Sequence, residues 1–247
     1  MHLVVEEALV KTVISVLDIG GFCTDESRAS LTNAAKVWGA DINFVTEDLV
    51  PWSGCKWFAK YFARKYYQGY DAVLQIDADV FVKANAPSPF LEWCGSGLGM
   101  VREHQPEFGW GNGTAGFWEE GINSFFYYVC GYWSSRMQMP PPLKSGYFNG
   151  GFMIYKPSEV DGWFDQLCEF GAIEGHNGRG LSDQTILSIM AHNGLVPVQP
   201  MRSVWNAIHA GRTTSLCGPS MDRAYIYHFC GKRNRRSRMA KVDWRLP

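Results

Sequence analysis

From Lys11 to Asp77 the sequence switches back and forth between two periodicities, and this alternation restricts the fold more than any other feature. "KTVISVLDIGG" is a β-branched run closing on Asp18 and a glycine pair, so Thr12 to Leu17 reads as a strand. "TDESRASLTNAAKVWGAD" follows, with Thr24 or Asp25 placed to cap a helix and Gly39 to stop it. "INFV" is a second strand. "CKWFAKYFARKYYQGYD" reads as a second helix, ending near Gly69. Its Trp57, Phe58, Tyr61 and Phe62 share one face, and Lys56, Lys60 and Arg64 form a stripe that reads as a solvated one. "DAVLQID" is the third strand. Strand, helix, strand, helix, strand within roughly seventy residues means parallel strands joined by crossover helices, an α/β architecture.

The pattern breaks from Glu103 to Gly146, where "FGWGNGTAGFWEEGINSFFYYVCGYWSS" is rich in glycine and aromatic residues and "MPPPLKSG" closes it. Trp110, Trp118, Tyr127, Tyr128, Tyr132 and Trp133 there suit either core packing or a lid. A strand returns in "YFNGGFMIYKPS". Helices follow over "SEVDGWFDQLCEF" and over "SDQTILSIMAHNG", the latter with Ser182 as cap and Gly194 at its end. Two short apolar runs, "LVPVQP" and "AYIYHFCG", complete the ordered pattern. No linker precedes Lys232, so the expected organisation is one domain over residues 1–231 and a basic tail over 232–247. A chain of 247 residues, 46% hydrophobic, can bury a core of that size.

The third strand ends in two carboxylates, Asp77 and Asp79, separated by Ala78. Ligands of open parallel sheets gather beyond the carboxyl ends of the strands. In extended chain, residues i and i+2 point the same way, so both carboxylates can reach one point. Two like charges so placed need a cation or a shared proton. A hard divalent ion meets that need, taking one or two carboxylates plus phosphate oxygens and water, which makes a nucleoside diphosphate the natural ligand. The plainer alternative is a pair of aspartates capping a turn.

Net charge is −1, so the overall field points to neither nucleic acid nor an acidic partner. Charge is concentrated in "KRNRRSRMAKVDWR", seven Lys/Arg against one Asp, which suits a solvated tail, a phosphate patch or peripheral contact with an anionic membrane. Seven scattered cysteines without a C-x-x-C pair argue against a zinc ribbon or a disulfide framework. With Glu6 and Glu7 in the opening segment and no apolar stretch near ~20 residues, a cytoplasmic location is expected.

"YDAVLQIDADVFV", "YFNGGFMIYKPS", "LSDQTIL" and "YIYHFCGK" occur in an order and spacing that resemble glycosyltransferases of the GT-A fold, in particular the glycogenin and bacterial lipopolysaccharide galactosyltransferase family. The resemblance spans roughly Lys11 to Lys232 and implies a mostly parallel central sheet with flanking helices. It implies a metal site of Asp77, Asp79 and His228 holding Mn²⁺ or Mg²⁺, and with it the diphosphate of a sugar nucleotide, usually a UDP-sugar. Gly231 and Lys232 would approach the diphosphate. Asn149, Gly150, Asp183 and Gln184 would face the transferred sugar and a carbohydrate or glycoconjugate acceptor. Lys60, with Lys56 as its substitute one turn earlier, would contact the nucleotide.

Each of these residues also has an ordinary role: a buried core histidine at 228, a turn residue at 149, charge at a helix N-terminus at 183. The implied reaction moves a hexosyl group to a hydroxyl. Retention follows the resemblance, whereas inversion would require a carboxylate base such as Asp183. Two rivals remain open: nucleotidyl transfer on a similar fold, and a non-catalytic carbohydrate-binding module.

Overall fold

The computed structural model describes residues 10–51, 55–103, 105, 125–173, 182–208 and 223–229. Strand β1 (Thr12–Leu17) is buried along its whole length, as the β-branched run requires. Helix α1 (Asp25–Trp38) starts at Thr24, whose Oγ1 accepts the Ser27 N–H at 3.1 Å, and carries Asp25 and Glu26 in its first turn. It ends at Gly39, whose φ of +67° is the left-handed conformation that lets the Ala40 N–H reach back to Ala35 O at 2.9 Å. Strands β2 (Asp41–Val45) and β3 (Ala72–Asp77) then flank β1, both parallel to it.

The segment between β2 and β3 departs from the regular helix expected there. It consists of a 3₁₀ turn at Lys56–Phe58, one α-helical turn, α2 (Ala59–Phe62), and a second 3₁₀ turn at Ala63–Tyr67. The basic stripe is not solvated either: Lys60 and Arg64 are buried. Each cation is anchored to a different part of the fold. Lys56 Nζ donates to Ile19 O, Lys60 Nζ to Gly150 O, and Arg64 to Asp161 and Asp165. Those distant anchors, rather than local helix preference, set the pitch of the segment.

Beyond β3 the chain bends, and Val80–Val82 forms a separate strand, β4. Strand β5 (Leu98–Arg102), helix α3 (Phe125–Met137), strand β6 (Phe148–Tyr155), helices α4 (Pro157–Ile173) and α5 (Ser182–His192), strand β7 (Val198–Met201), and short strands β8 (Ala207–Ile208) and β9 (Ile226–His228) follow. The main sheet has the order β2-β1-β3-β6-β5-β7, and a smaller one the order β4-β9-β8. The β1–β2, β1–β3 and β5–β7 pairs are parallel, so the main sheet is mostly parallel. β6 runs against both of its neighbours. That reversal brings the start of β6, with Asn149, Gly150 and Gly151, to the carboxyl end of β3.

Alternate residues feed two cores. Val13, Leu17, Val73, Met153 and Tyr155 pack on one face with Phe164, Leu167, Ile186 and Met190 of α4 and α5. Ile14, Val16, Leu74, Ile76, Phe152 and Ile154 pack on the other with Leu31 and Ala35 of α1 and with Trp205. Of the aromatic-rich region, Trp110 and Trp118 and the Tyr127 side chain lie outside the described residues, as does the basic tail. Trp133 is buried in the first core, Tyr132 packs against it, and Tyr128 is exposed. Among the described residues no helix is long and apolar enough to cross a membrane.

Candidate active site

Asp77 closes β3 and Asp79 lies in the bend before β4. The bend is fixed from two sides. Ser27 of α1, fully buried, places its hydroxyl 2.7 Å from both Ala78 O and Val80 O, and the Phe229 N–H donates to Asp79 O at 2.9 Å. Antiparallel pairing of β4 with β9 sets Val80 opposite His228 and carries the histidine to the doublet. Its Nε2 lies 3.6 Å from Asp77 Oδ2 and 3.4 Å from Asp79 Oδ1. One ligand atom from each of Asp77, Asp79 and His228 falls within 4.8 Å of the others. Ser27→Ala removes a donor shared by two carbonyls beside the doublet. It is expected to cost about 1–2 kcal/mol in a urea unfolding titration.

Lys60 stands behind this group. Its Nζ lies 2.8 Å from Asp183 Oδ2, 2.8 Å from Gly150 O and 4.0 Å from Asp77 Oδ1. Burial alone would push the ammonium down, but the Asp183 and Asp77 carboxylates outweigh it and hold Lys60 above its ordinary value. Burial raises Asp77 above the usual carboxylate range, and Lys60 and His228 offset only part of that. Lys56, the alternative nucleotide contact, is not in the group. Its Nζ sits on Ile19 O at 2.9 Å, 5.1 Å from the Phe22 ring centre.

The glycine pair of β6 allows the close approach. A Cβ on Gly151 would collide with His228 Cε1 and come within 2.9 Å of Asp77 Oδ2. One on Gly150 would lie 3.1 Å from Lys60 Nζ and 3.3 Å from Asp183 Oδ2. Asn149 Oδ1 accepts the Gly151 N–H at 2.8 Å and Gln184 Oε1 the Gly150 N–H at 3.2 Å. Asp77, Asp79, His228, Lys60, Asn149, Gly150, Asp183 and Gln184 are thus contiguous. Gly231 and Lys232 lie outside the described residues.

Two buried residues join the group without a sequence signal. Glu103, just past β5, accepts from Asn149 Nδ2 and, at 3.5 Å, from Gln184 Nε2. Asn206, just before β8, donates to Asn149 Oδ1 at 2.8 Å. A cavity of about 520 Å³, lined by Cys94, Gly97, Trp163 and Gln199, lies at the opposite end of the sheet, where β5 and β7 begin.

A cation fits the donor set. Two carboxylates and an imidazole converge on one point, and the side chains of Asp79 and His228 are almost wholly shielded from water. Like charges that close call for a cation or a shared proton, and two carboxylates with an imidazole are donors a divalent ion can use.

No family model and no curated protein sequence matches the chain. Solved structures do. A glycosyltransferase involved in the glycosylation of the major capsid of PBCV-1 superposes with a TM-score of 0.61 at 12% identity, over 93% of this chain and 99% of that one. The bifunctional glycosyltransferase WbbM gives 0.58 at 15% identity, over 97% of this chain and 51% of that one. At such identities the likeness defines the fold. This chain has the mixed α/β fold, with a mostly parallel six-stranded sheet, of these glycosyltransferases.

Proposed function

We propose that the chain is a metal-dependent glycosyltransferase that moves a hexosyl group from a UDP-sugar to a hydroxyl of a carbohydrate or glycoconjugate. The observation that carries this reading is the convergence of Asp77, Asp79 and His228, drawn from two sheets, beside a buried Lys60 on a glycosyltransferase fold. Asp77, Asp79 and His228 would hold Mn²⁺. When bound, the ion supplies Lewis-acid stabilisation of the diphosphate leaving group.

The protein's own groups do the rest. Lys60 holds Asp183 in a fixed orientation, and the Asp183 carboxylate faces a sugar hydroxyl. Asn149 and Gln184 order the glycine pair beside the sugar. Lys232 adds positive charge where the leaving diphosphate gains negative charge. Retention of configuration follows the resemblance to the glycogenin-type family, and Asp183, ion-paired with Lys60, then serves to hold a hydroxyl. The basic tail contributes a peripheral contact with anionic surfaces, where lipid-linked acceptors are found.

Calorimetry with UDP, with and without Mn²⁺, tests the reading. Binding is expected only with the metal, and slow hydrolysis of one member of a sugar-nucleotide panel identifies the donor. Pyrophosphate release from a nucleoside triphosphate would indicate nucleotidyl transfer instead. Sugar binding with no affinity for any nucleotide would indicate a carbohydrate-binding module.

A further inference from the structure

We infer that Glu103 is a positioning residue, one that sets the orientation of two amide side chains and through them fixes the Gly150–Gly151 backbone against the candidate metal group. Glu103 is 3% exposed, and its Oε2 accepts from both Asn149 Nδ2 and Gln184 Nε2. The other end of each amide meets a backbone donor: Asn149 Oδ1 takes the Gly151 N–H and Gln184 Oε1 the Gly150 N–H. A backbone N–H can only donate, so both amides must turn their oxygens to the glycines and their NH₂ groups to Glu103.

The Glu103 oxygen thus bridges through Asn149 to Gly151 and, together with the Tyr147 hydroxyl 3.4 Å from Gln184 Nε2, through Gln184 to Gly150. The Gly150 peptide is held on its far side as well, since its carbonyl accepts from Lys60 Nζ at 2.8 Å. The same ordering passes one residue further. Asn206, fully buried, commits its Nδ2 to Asn149 Oδ1 and so presents its own Oδ1 as an acceptor, which has no protein partner among the described residues.

The placement matters because these glycines leave no slack. Gly151 sits against His228 and Asp77, and Gly150 against Lys60 and Asp183, so a shift of either peptide displaces a group that the proposed reaction uses. The functional half of this inference rests on the glycosyltransferase reading above. The orientational half stands on the apo protein alone.

Glu103→Gln keeps the shape and removes the acceptor-only group. Its amide can place either its oxygen or its NH₂ where Oε2 stands, and with NH₂ there Asn149 and Gln184 turn over to accept and abandon their glycines, so the orientation is no longer enforced. Amide hydrogen exchange followed by NMR on the apo protein is expected to show the Gly150 or Gly151 N–H exchanging at least about tenfold faster than in the wild type. Mn²⁺-dependent UDP affinity is expected to weaken about 10–100-fold.

The double variant Glu103→Gln/Asn149→Asp transposes the carboxylate. The new carboxylate at position 149 then accepts from Gly151, from Asn206 and from the new amide at position 103, and the Gly151 N–H is expected to regain wild-type protection. A merely structural role for Glu103 would not give that rescue. Wild-type protection of both glycines in Glu103→Gln and also in Glu103→Leu, which offers no acceptor, overturns the inference. If Glu103→Gln does not fold, a double variant that is also unfolded, or that folds with a fast-exchanging Gly151, overturns it equally. Exchange that responds in a protein binding no UDP would retain the orienting role and reject the proposed function.

Discussion

Asp79→Ala is expected to abolish Mn²⁺-dependent UDP binding and to lower turnover by about 10²–10⁴, equivalent to roughly 3–5 kcal/mol of leaving-group stabilisation. The loss should be one of function and not of fold, because the bend that carries Asp79 is held by its main chain. Phe229 N–H donates to Asp79 O, and Ser27 reaches the carbonyls on either side. In the absence of metal, the substitution removes one of two like charges drawn together near His228, so the apo variant should melt at or above the wild-type temperature. The wild type should instead gain stability with ligand, about 2.7 kcal/mol at a hundredfold excess of ligand over Kd. Thermal unfolding with and without Mn²⁺ and UDP separates the two effects. A variant that keeps the ligand-dependent rise would show that Asp79 does not hold the cation.

The elements that could be read from the sequence are those whose signals are local. Thr24 and Gly39 bracket α1 because capping chemistry acts within a few residues, and β1 and β3 announce themselves as short apolar runs. Asp77 and Asp79 were legible because carboxylates closing an apolar strand need an explanation. What stayed hidden depends on partners far along the chain. The helical stripe of Lys60 and Arg64 looks solvated until Asp183, Asp161 and Asp165 arrive from α5 and α4. The reversed direction of β6 leaves no mark in its own residues, yet it is what sets Gly151 beside Asp77. Glu103 stands in "VREHQPEF", with nothing nearby to distinguish it, and Asn149 and Gln184, which give it a role, come 46 and 81 residues later.

Lys60→Met is expected to be the most destabilising substitution in the site, at about 3–5 kcal/mol by urea unfolding, because it strands a buried carboxylate. Asp183 is 4% exposed, and the Lys60 ammonium is its ion-pair partner at 2.8 Å, while Gly150 O loses the donor it shares with that pair. Adding Asp183→Asn neutralises the stranded charge, so the double variant should recover much of the stability, a strong departure from additivity. Turnover should stay low in both, since neither restores the orientation of residue 183.

The pH dependence carries an independent sign. Lys60 is raised above its ordinary value of 10.5 in the folded state, so folding favours its protonated form. Its contribution is therefore complete below the unfolded value and is lost as pH climbs through the elevated folded one. On the alkaline side the stability gap between wild type and Lys60→Met should narrow only above about 10.5, where the ammonium itself is lost. A gap that persists unchanged above that range, or that never opens, would mean the ammonium is not held by Asp183.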